Sequence, residues 1–166
     1  MAYLLDANVF IQAKNLQYGF DFCPAFWDWL NTKNAEGMVY SIRHVGDELR
    51  AGEDELSEWG GGHGDEFFLP PDNEVLAAAP HVSAWASDQG YEPAAINTFL
   101  QVADYWLTAH ALAHGHVVVT HEVTSNTLRK IKIPNACVGL RLNFMSPYQM
   151  LRRERARFVL GPQAAQ

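Results

Sequence analysis

The sequence predicts an α/β fold, a parallel sheet with helices packed on its faces, and three observations carry that prediction. Short apolar runs alternate with stretches of helical periodicity, the order expected when each strand is followed by a crossover helix. The run His116-Val117-Val118-Val119-Thr120 is dominated by β-branched residues without polar alternation, as in a strand covered on both faces. Asp6 ends the first apolar run immediately before a helical pattern, which is the strand-to-helix turn of such a unit.

In chain order, Ala2-Tyr3-Leu4-Leu5 is a short buried strand stopped by Asp6, and Asn8 with Val9, Phe10 and Ile11 starts a helix. Pro24 followed by Phe26, Trp27, Trp29 and Leu30 has helical spacing, with proline in the first turn where its missing N–H leaves no bond unmade. Gly37 introduces Met38-Val39-Tyr40, a second strand ending at Ser41. Ile42, Val45 and Leu49 then recur at helical spacing, with Glu48 beside that stripe. A short helix is expected around Glu53 to Trp59, and Gly60-Gly61-Gly62-His63-Gly64 reads as a flexible loop. Pro70-Pro71-Asp72 turns into a helix holding Val75, Leu76, Val82 and Trp85, and Gly90 with Pro93 breaks the chain before Ile96, Phe99, Leu100 and Val102. Asp104 opens a helix through Leu107, Ala111 and Leu112 that closes at His114-Gly115. Beyond the 116–120 strand, Ala136-Cys137-Val138 reads as another short strand, and Ser146-Pro147 starts an arginine-rich helix.

With 166 residues and 48% apolar content, the chain supports one well-buried core and not two, so a single domain over residues 1–166 is expected. Cys23 and Cys137 belong to no CxxC or Cys/His spacing and read as small buried apolar residues of a reducing compartment. Met1 leads into a strand without a basic flank or cleavage site, and no apolar run reaches membrane-spanning length. The expectation is a cytoplasmic protein with no membrane partner. The net charge of −7 conceals an asymmetry. Residues 1–120 carry 4 Lys/Arg against 17 Asp/Glu, and residues 121–166 carry 8 against 2. Arg129, Lys130, Lys132, Arg141, Arg152, Arg153, Arg155 and Arg157 form either a local phosphate-binding face or a solvated helix face.

Four carboxylates stand out. Asp6 sits at a strand end, Glu48 beside a helix stripe, Asp104 at a helix start and Glu122 just past the β-branched strand. Each has an ordinary role open to it: a helix cap, an exposed helix acid next to Asp47, a first-turn acid on the macrodipole, a loop residue. Jointly they are harder to dismiss, because ligands of parallel sheets gather outside the carboxyl ends of the strands, where Asp6, Asp104 and Glu122 would meet. Several anions drawn together repel one another, and a divalent cation with a preference for oxygen is the simplest remedy.

The segments Leu4-Leu5-Asp6-Ala7-Asn8-Val9-Phe10, Asp47-Glu48-Leu49, Asp104-Tyr105-Trp106-Leu107-Thr108-Ala109-His110-Ala111 and Val117-Val118-Val119-Thr120-His121-Glu122 resemble the PIN-domain nucleases, which include the VapC-type toxins of bacterial toxin–antitoxin systems. The resemblance spans essentially the whole chain and implies a three-layer α/β/α domain with a central parallel sheet. By position it implies that Asp6, Glu48, Asp104 and Glu122 bind one or two Mg²⁺ or Mn²⁺ ions and form the catalytic set for RNA hydrolysis. It places Asn8 and Thr120, with Ser41, as polar supports of that pocket, and it implies an antitoxin protein as partner. Departures mark a divergent branch: the fourth acid is more often aspartate, and the segment between Glu48 and Asp104 is longer than in the smallest toxins. A housekeeping RNA or DNA substrate and a non-catalytic PIN-like binding module are the competing readings. Arg152, Arg153, Arg155 and Arg157 are the candidate RNA or partner contacts, and the oligomeric state, a homodimer included, stays open.

Other signals point elsewhere. His110 and His114 stand four apart with His116 beyond, a spacing able to hold zinc, yet the glutamate base of HExxH is missing. His121 flanks the acids and is a candidate phosphate contact or a plain loop residue. Trp27, Trp29 and Trp106 fall in apolar helical patterns and read as core, while Trp59, beside the glycines, is the tryptophan to test for base stacking. The glycines at 60–62 follow no strand and form no phosphate loop.

Overall fold

The computed structural model describes residues 1–161. Its centre is a parallel sheet in the order β3-β2-β1-β4-β5. The strands are β1 (Tyr3–Leu5), β2 (Val39–Ile42), β3 (Phe68–Leu69), β4 (Val117–Val119) and β5 (Phe144–Met145). β1 lies in the middle, with Tyr3 opposite Val39 on one side and Tyr3, Leu4 and Leu5 opposite Val117, Val118 and Val119 on the other. Every residue of β1 and β4 is buried, which accounts for runs that are apolar without alternation. The two edge strands have two residues each, too few to show a pattern in the sequence.

The helices are α1 (Ala7–Gln12), which continues as a π-helical turn over Ala13–Gln17, α2 (Pro24–Ala35), α3 (Arg43–Arg50), α4 (Glu55–Gly61), α5 (Asn73–Asp88), α6 (Pro93–Gln101), α7 (Ala103–His114), α8 (Ile133–Gly139) and α9 (Pro147–Arg153). Their ends follow local chemistry. Asp72 and Asp54 accept from the third amide of α5 and α4, and Ser146 and Gln149 form a reciprocal capping box at α9. Gly115 closes α7 with φ +69°, the left-handed value that glycine adopts without steric cost.

Two expectations are corrected. Ala136-Cys137-Val138 is helical, within α8: Pro134 sits in its first turn, Ala136 and Cys137 turn inward, and Val138 is exposed. Three residues are too few to separate a buried strand from one helical turn. The glycine stretch is not a free loop. Gly60 and Gly61 complete α4, and Gly60 is buried against α3, where an added Cβ would stand 3.5 Å from Leu49 Cβ. Arg50 then ties the chain down, donating through Nε to the Gly60 carbonyl and through Nη2 to that of His63.

The main core wraps the sheet with residues such as Leu4, Phe10, Phe26, Ile42, Phe68, Val118, Ile133 and Met150. A second apolar cluster, including Val75, Val82, Phe99, Ala109 and Ile131, joins α5, α6 and α7, and Trp106 packs against both. Among the described residues no helix is long and apolar enough to cross a membrane. The connections leave β1 toward β2 on one side and reach β4 on the other. The strand order therefore reverses at the β1/β4 boundary, and a crevice opens there at the carboxyl ends.

Candidate functional site

Asp6 lies at that reversal. Its N–H donates to the Val119 carbonyl (3.0 Å), and its side chain is inside the molecule, the residue being 3% exposed. The Thr120 hydroxyl donates to Asp6 Oδ2 (3.1 Å) while accepting from the Glu122 N–H (3.1 Å). Its side chain makes no cap hydrogen bond of regular geometry to α1, although the Ala7 and Asn8 amides lie close enough to favour its charged form. Burial, followed by the charge of Glu122, pushes its carboxyl up to about 6, against the pull of the Thr120 bond and the Ala7 and Asn8 amides.

Asp104 stands in the first turn of α7, where Val102 adopts an extended conformation and separates α6 from α7. It is half-buried, and burial together with the charges of Asp6, Glu122 and Glu48 pushes its carboxyl up to about 7, with Lys130 acting against them. Glu48, on α3, is at the solvent rim of a hollow shared with His44, Gln101, Val102 and Ala103, and partial burial raises its carboxyl. Glu122 is half-buried in a groove of about 260 Å³ with Thr120, His121, Ser146 and Gln149. One of its oxygens accepts from the Ile133 N–H (2.9 Å), so Glu122 also fastens the start of α8.

The four predicted acids thus share one electrostatic neighbourhood at the carboxyl edge of the sheet. In the conformation described, no three His, Cys, Asp or Glu side chains among the described residues are gathered so as to hold a metal ion. The donor chemistry nevertheless fits a hard divalent cation. The set is all carboxylate oxygen, and burial together with mutual repulsion pushes two of its members up, Asp6 to about 6 and Asp104 to about 7.

The supporting residues divide. Thr120 is buried and bonded to Asp6. Ser41 is fully buried, but its hydroxyl donates to the Leu5 carbonyl (2.6 Å) and so fixes the end of β1 from β2. Asn8 is exposed, and its main-chain amide is what acts on Asp6. Arg152, Arg153, Arg155 and Arg157 are exposed at the far end of α9 from the acids, near the start of β1, where the Tyr3 hydroxyl donates to Glu154 (2.6 Å). The cations beside the acids are instead Arg129 and Lys130, which line a cavity with Asp104. In the sequence these two stand out only as part of the basic segment. Their place in the loop directly after the fourth acid is the signal that could have found them. His44, whose ring stacks on Trp106 (4.9 Å, 6° between planes) beside Glu48, carries no such signal.

The histidine and tryptophan alternatives resolve separately. His110 is buried with its Nε2 unpartnered and is pushed down to about 4, chiefly by burial. His114 contacts Asp72 (2.8 Å) and Glu74 (3.3 Å), and His116 accepts from the Ala2 N–H. They do not converge on one point. Trp59 is not a stacking platform for a base: it packs among Phe10, Trp27, His63 and Phe67. His121 lines the Glu122 groove and meets the Tyr148 ring.

A family model described as "Domain of unknown function (DUF4411)" matches residues 3–158. The chain belongs to this family. Two solved structures resemble this DUF4411 chain. One is FitAcB from Neisseria gonorrhoeae, with a TM-score of 0.51 and 21% identity over 88% of this chain and 98% of that one. The other is FitAB bound to an IR36 DNA fragment, with a TM-score of 0.52 and 19% identity over 88% and 95% of the two chains. No curated protein matches. At such identities the likeness establishes architecture, and the DUF4411 chain has the mixed α/β, PIN-like fold that its sequence motifs implied.

Proposed function

We propose that this DUF4411 protein is a metal-dependent endoribonuclease that hydrolyses RNA phosphodiester bonds, and that it serves as the toxin of a type II toxin–antitoxin pair. One observation carries the reading: Asp6, buried at the end of the central strand, is tied through the Thr120 hydroxyl to Glu122, and Asp104 and Glu48 face the same neighbourhood, where burial and mutual repulsion push Asp104 up. Such crowding of acids at a ligand-binding sheet edge costs stability and has a purpose if a cation completes it. Asp6, Glu48, Asp104 and Glu122 would hold one or two Mg²⁺ or Mn²⁺ ions, which when bound supply an activated water and offset charge on the scissile phosphate.

The chain's own residues prepare that centre. Thr120 holds Asp6 Oδ2 in place and links it through one hydroxyl to the Glu122 backbone. Ser41 and the Val119 carbonyl fix the backbone on either side of the Leu5–Asp6 link. Lys130 lowers the negative potential at Asp104, which eases the approach of an anionic substrate. No side-chain nucleophile is assigned. The likeness to FitAB, together with the VapC-like motifs, supports the toxin role and an antitoxin partner.

The test is cleavage of a panel of RNAs and DNAs by the purified full chain with Mn²⁺. We expect RNA cleavage that EDTA abolishes and Asp6→Asn removes, and growth arrest on expression that an adjacent antitoxin gene relieves. If the RNAs stay intact with Mn²⁺, and Asp6→Asn alters neither metal affinity nor growth, the enzyme reading is wrong. Cleavage of DNA alone would replace RNA as substrate.

A further inference from the structure

Asp104 alone of the four acids also lines a cavity of about 200 Å³ that extends away from the others. Its apolar wall is Phe99 and Val102 from the end of α6 with Ile131 from the loop before α8. Phe99 and Ile131 are buried, whereas Val102 keeps 39% of its surface exposed, so an apolar side chain faces an open hollow. Arg129 and Lys130 also line it beside Asp104, in a chain whose first 120 residues are strongly acidic, and among the described residues the exposed Arg129 side chain is held only by a loose, 3.9 Å contact with Glu92.

The loop that carries these cations is firmly built. The Asn135 side chain both donates to the Ser125 carbonyl (2.9 Å) and accepts from the Ser125 N–H (3.0 Å). Ser125 Oγ accepts from the Thr127 N–H, and Thr127 Oγ1 accepts from the Arg129 N–H (both 3.2 Å). The Leu128 carbonyl accepts from the Glu92 N–H just before α6, and Glu122 holds the α8 end. The loop backbone therefore sits in fixed register against α6, and the two cations project from it beside an apolar slot.

We propose that this cavity is a nucleotide subsite for single-stranded RNA. One unpaired base enters the slot on Phe99, Val102 and Ile131, and Arg129 and Lys130 hold the phosphate next to the bond being cut. Three features select that occupant. The cavity is below the size range of drug-like pockets and suits one small planar group. An apolar floor with cations at its edge matches a base joined to a phosphate. The position next to Asp104 lies on one of the two paths by which a strand laid across the acids can continue, and it is the one that carries the cations. A paired base would enter only after unpairing and unstacking, which costs free energy, so the subsite favours unpaired RNA. This inference rests on the nuclease reading and adds to it the residues that grip the substrate.

The test is steady-state cleavage of a short single-stranded RNA by the full chain with Mn²⁺. It compares wild type, the double variant Arg129→Gln/Lys130→Gln and, as control, the quadruple variant Arg152→Gln/Arg153→Gln/Arg155→Gln/Arg157→Gln. Because the subsite grips ground state and transition state alike, the double variant should raise KM about tenfold and leave kcat within about threefold. Its log–log salt dependence of kcat/KM should flatten by roughly 0.7 for each phosphate no longer neutralised, while the control keeps the wild-type slope. An abasic position scanned along the RNA should raise KM at one site next to the cut in wild type, and not in Val102→Trp, whose indole fills the slot. Wild-type KM and salt slope in the double variant, or an equal abasic effect in wild type and Val102→Trp, overturns the subsite while cleavage itself upholds the nuclease. If wild type cuts no RNA with Mn²⁺, the nuclease reading falls and the subsite with it.

Discussion

Replacing Asp6 by asparagine should make the metal-free protein more stable. Asp6 is 3% exposed, and its carboxyl is pushed from an ordinary 3.8 to about 6 by burial and by Glu122. The unfolded chain releases this proton near pH 4 and the folded chain only near pH 6. In between, the unfolded state binds fewer protons, so this group lowers stability progressively as pH rises through that window, and the penalty levels off above it. At 1.36 kcal/mol per pKa unit, the penalty is about 1.5 kcal/mol at pH 5 and about 3 kcal/mol at pH 8. Asparagine keeps an oxygen to accept the Thr120 hydroxyl and loses the charge.

Urea unfolding of wild type and Asp6→Asn in EDTA should therefore give a difference favouring the variant that grows from pH 5 to pH 8 by about 1.5 kcal/mol. The difference must be read rather than either curve alone. His44, His110, His116 and His121 are held below their usual protonation range by burial, and they lend stability that rises with pH up to about 6.5. Adding Mn²⁺ at 100 times its dissociation constant should stabilise wild type by about 2.7 kcal/mol and leave the variant nearly unmoved. A variant no more stable than wild type at pH 8, or a difference that does not grow between pH 5 and pH 8, would refute the reasoning.

Two further outcomes test the fold around the site. Cys137 is buried and its thiol is pushed up to about 12, so iodoacetamide should label Cys23 in the folded protein and Cys137 only after denaturation, as peptide mass spectrometry would show. Gly46 on α3 packs against Phe68, where an added Cβ would come within 2.8 Å of the ring, so Gly46→Ala should cost about 1–3 kcal/mol in urea unfolding.

How much of this is legible in the sequence depends on the length of each signal. β1 and β4 can be read because an uninterrupted apolar run of that composition fits little besides a strand covered on both faces, and Asp6 because a charge at the end of such a run stands out. Asp104 can be read as the start of α7. The features that escape the sequence do so for physical reasons. Two-residue edge strands carry no periodicity, and Ala136-Cys137-Val138 has the composition of a strand but is held helical by its neighbours. Gly60 has the look of a breaker because its burial in the last turn of α4 against α3 is a tertiary fact. The arginines of α9 draw attention by number, whereas Arg129 and Lys130 matter by location, which composition does not report.

The placement of Asp6 at the end of a three-residue central strand also sets when its surroundings can form during synthesis. Its backbone partner on one side is Val119, and the hydroxyl that orients it belongs to Thr120. Those residues are held in turn by β5, through the bond from the Thr120 N–H to the Met145 carbonyl. A nascent chain that has emerged only as far as α7 carries Asp6, Glu48 and Asp104, and β2 holds β1 from one side through Ser41, but it lacks the Val119 and Thr120 contacts and Glu122. The acidic edge is completed only once β4 and β5 have been made.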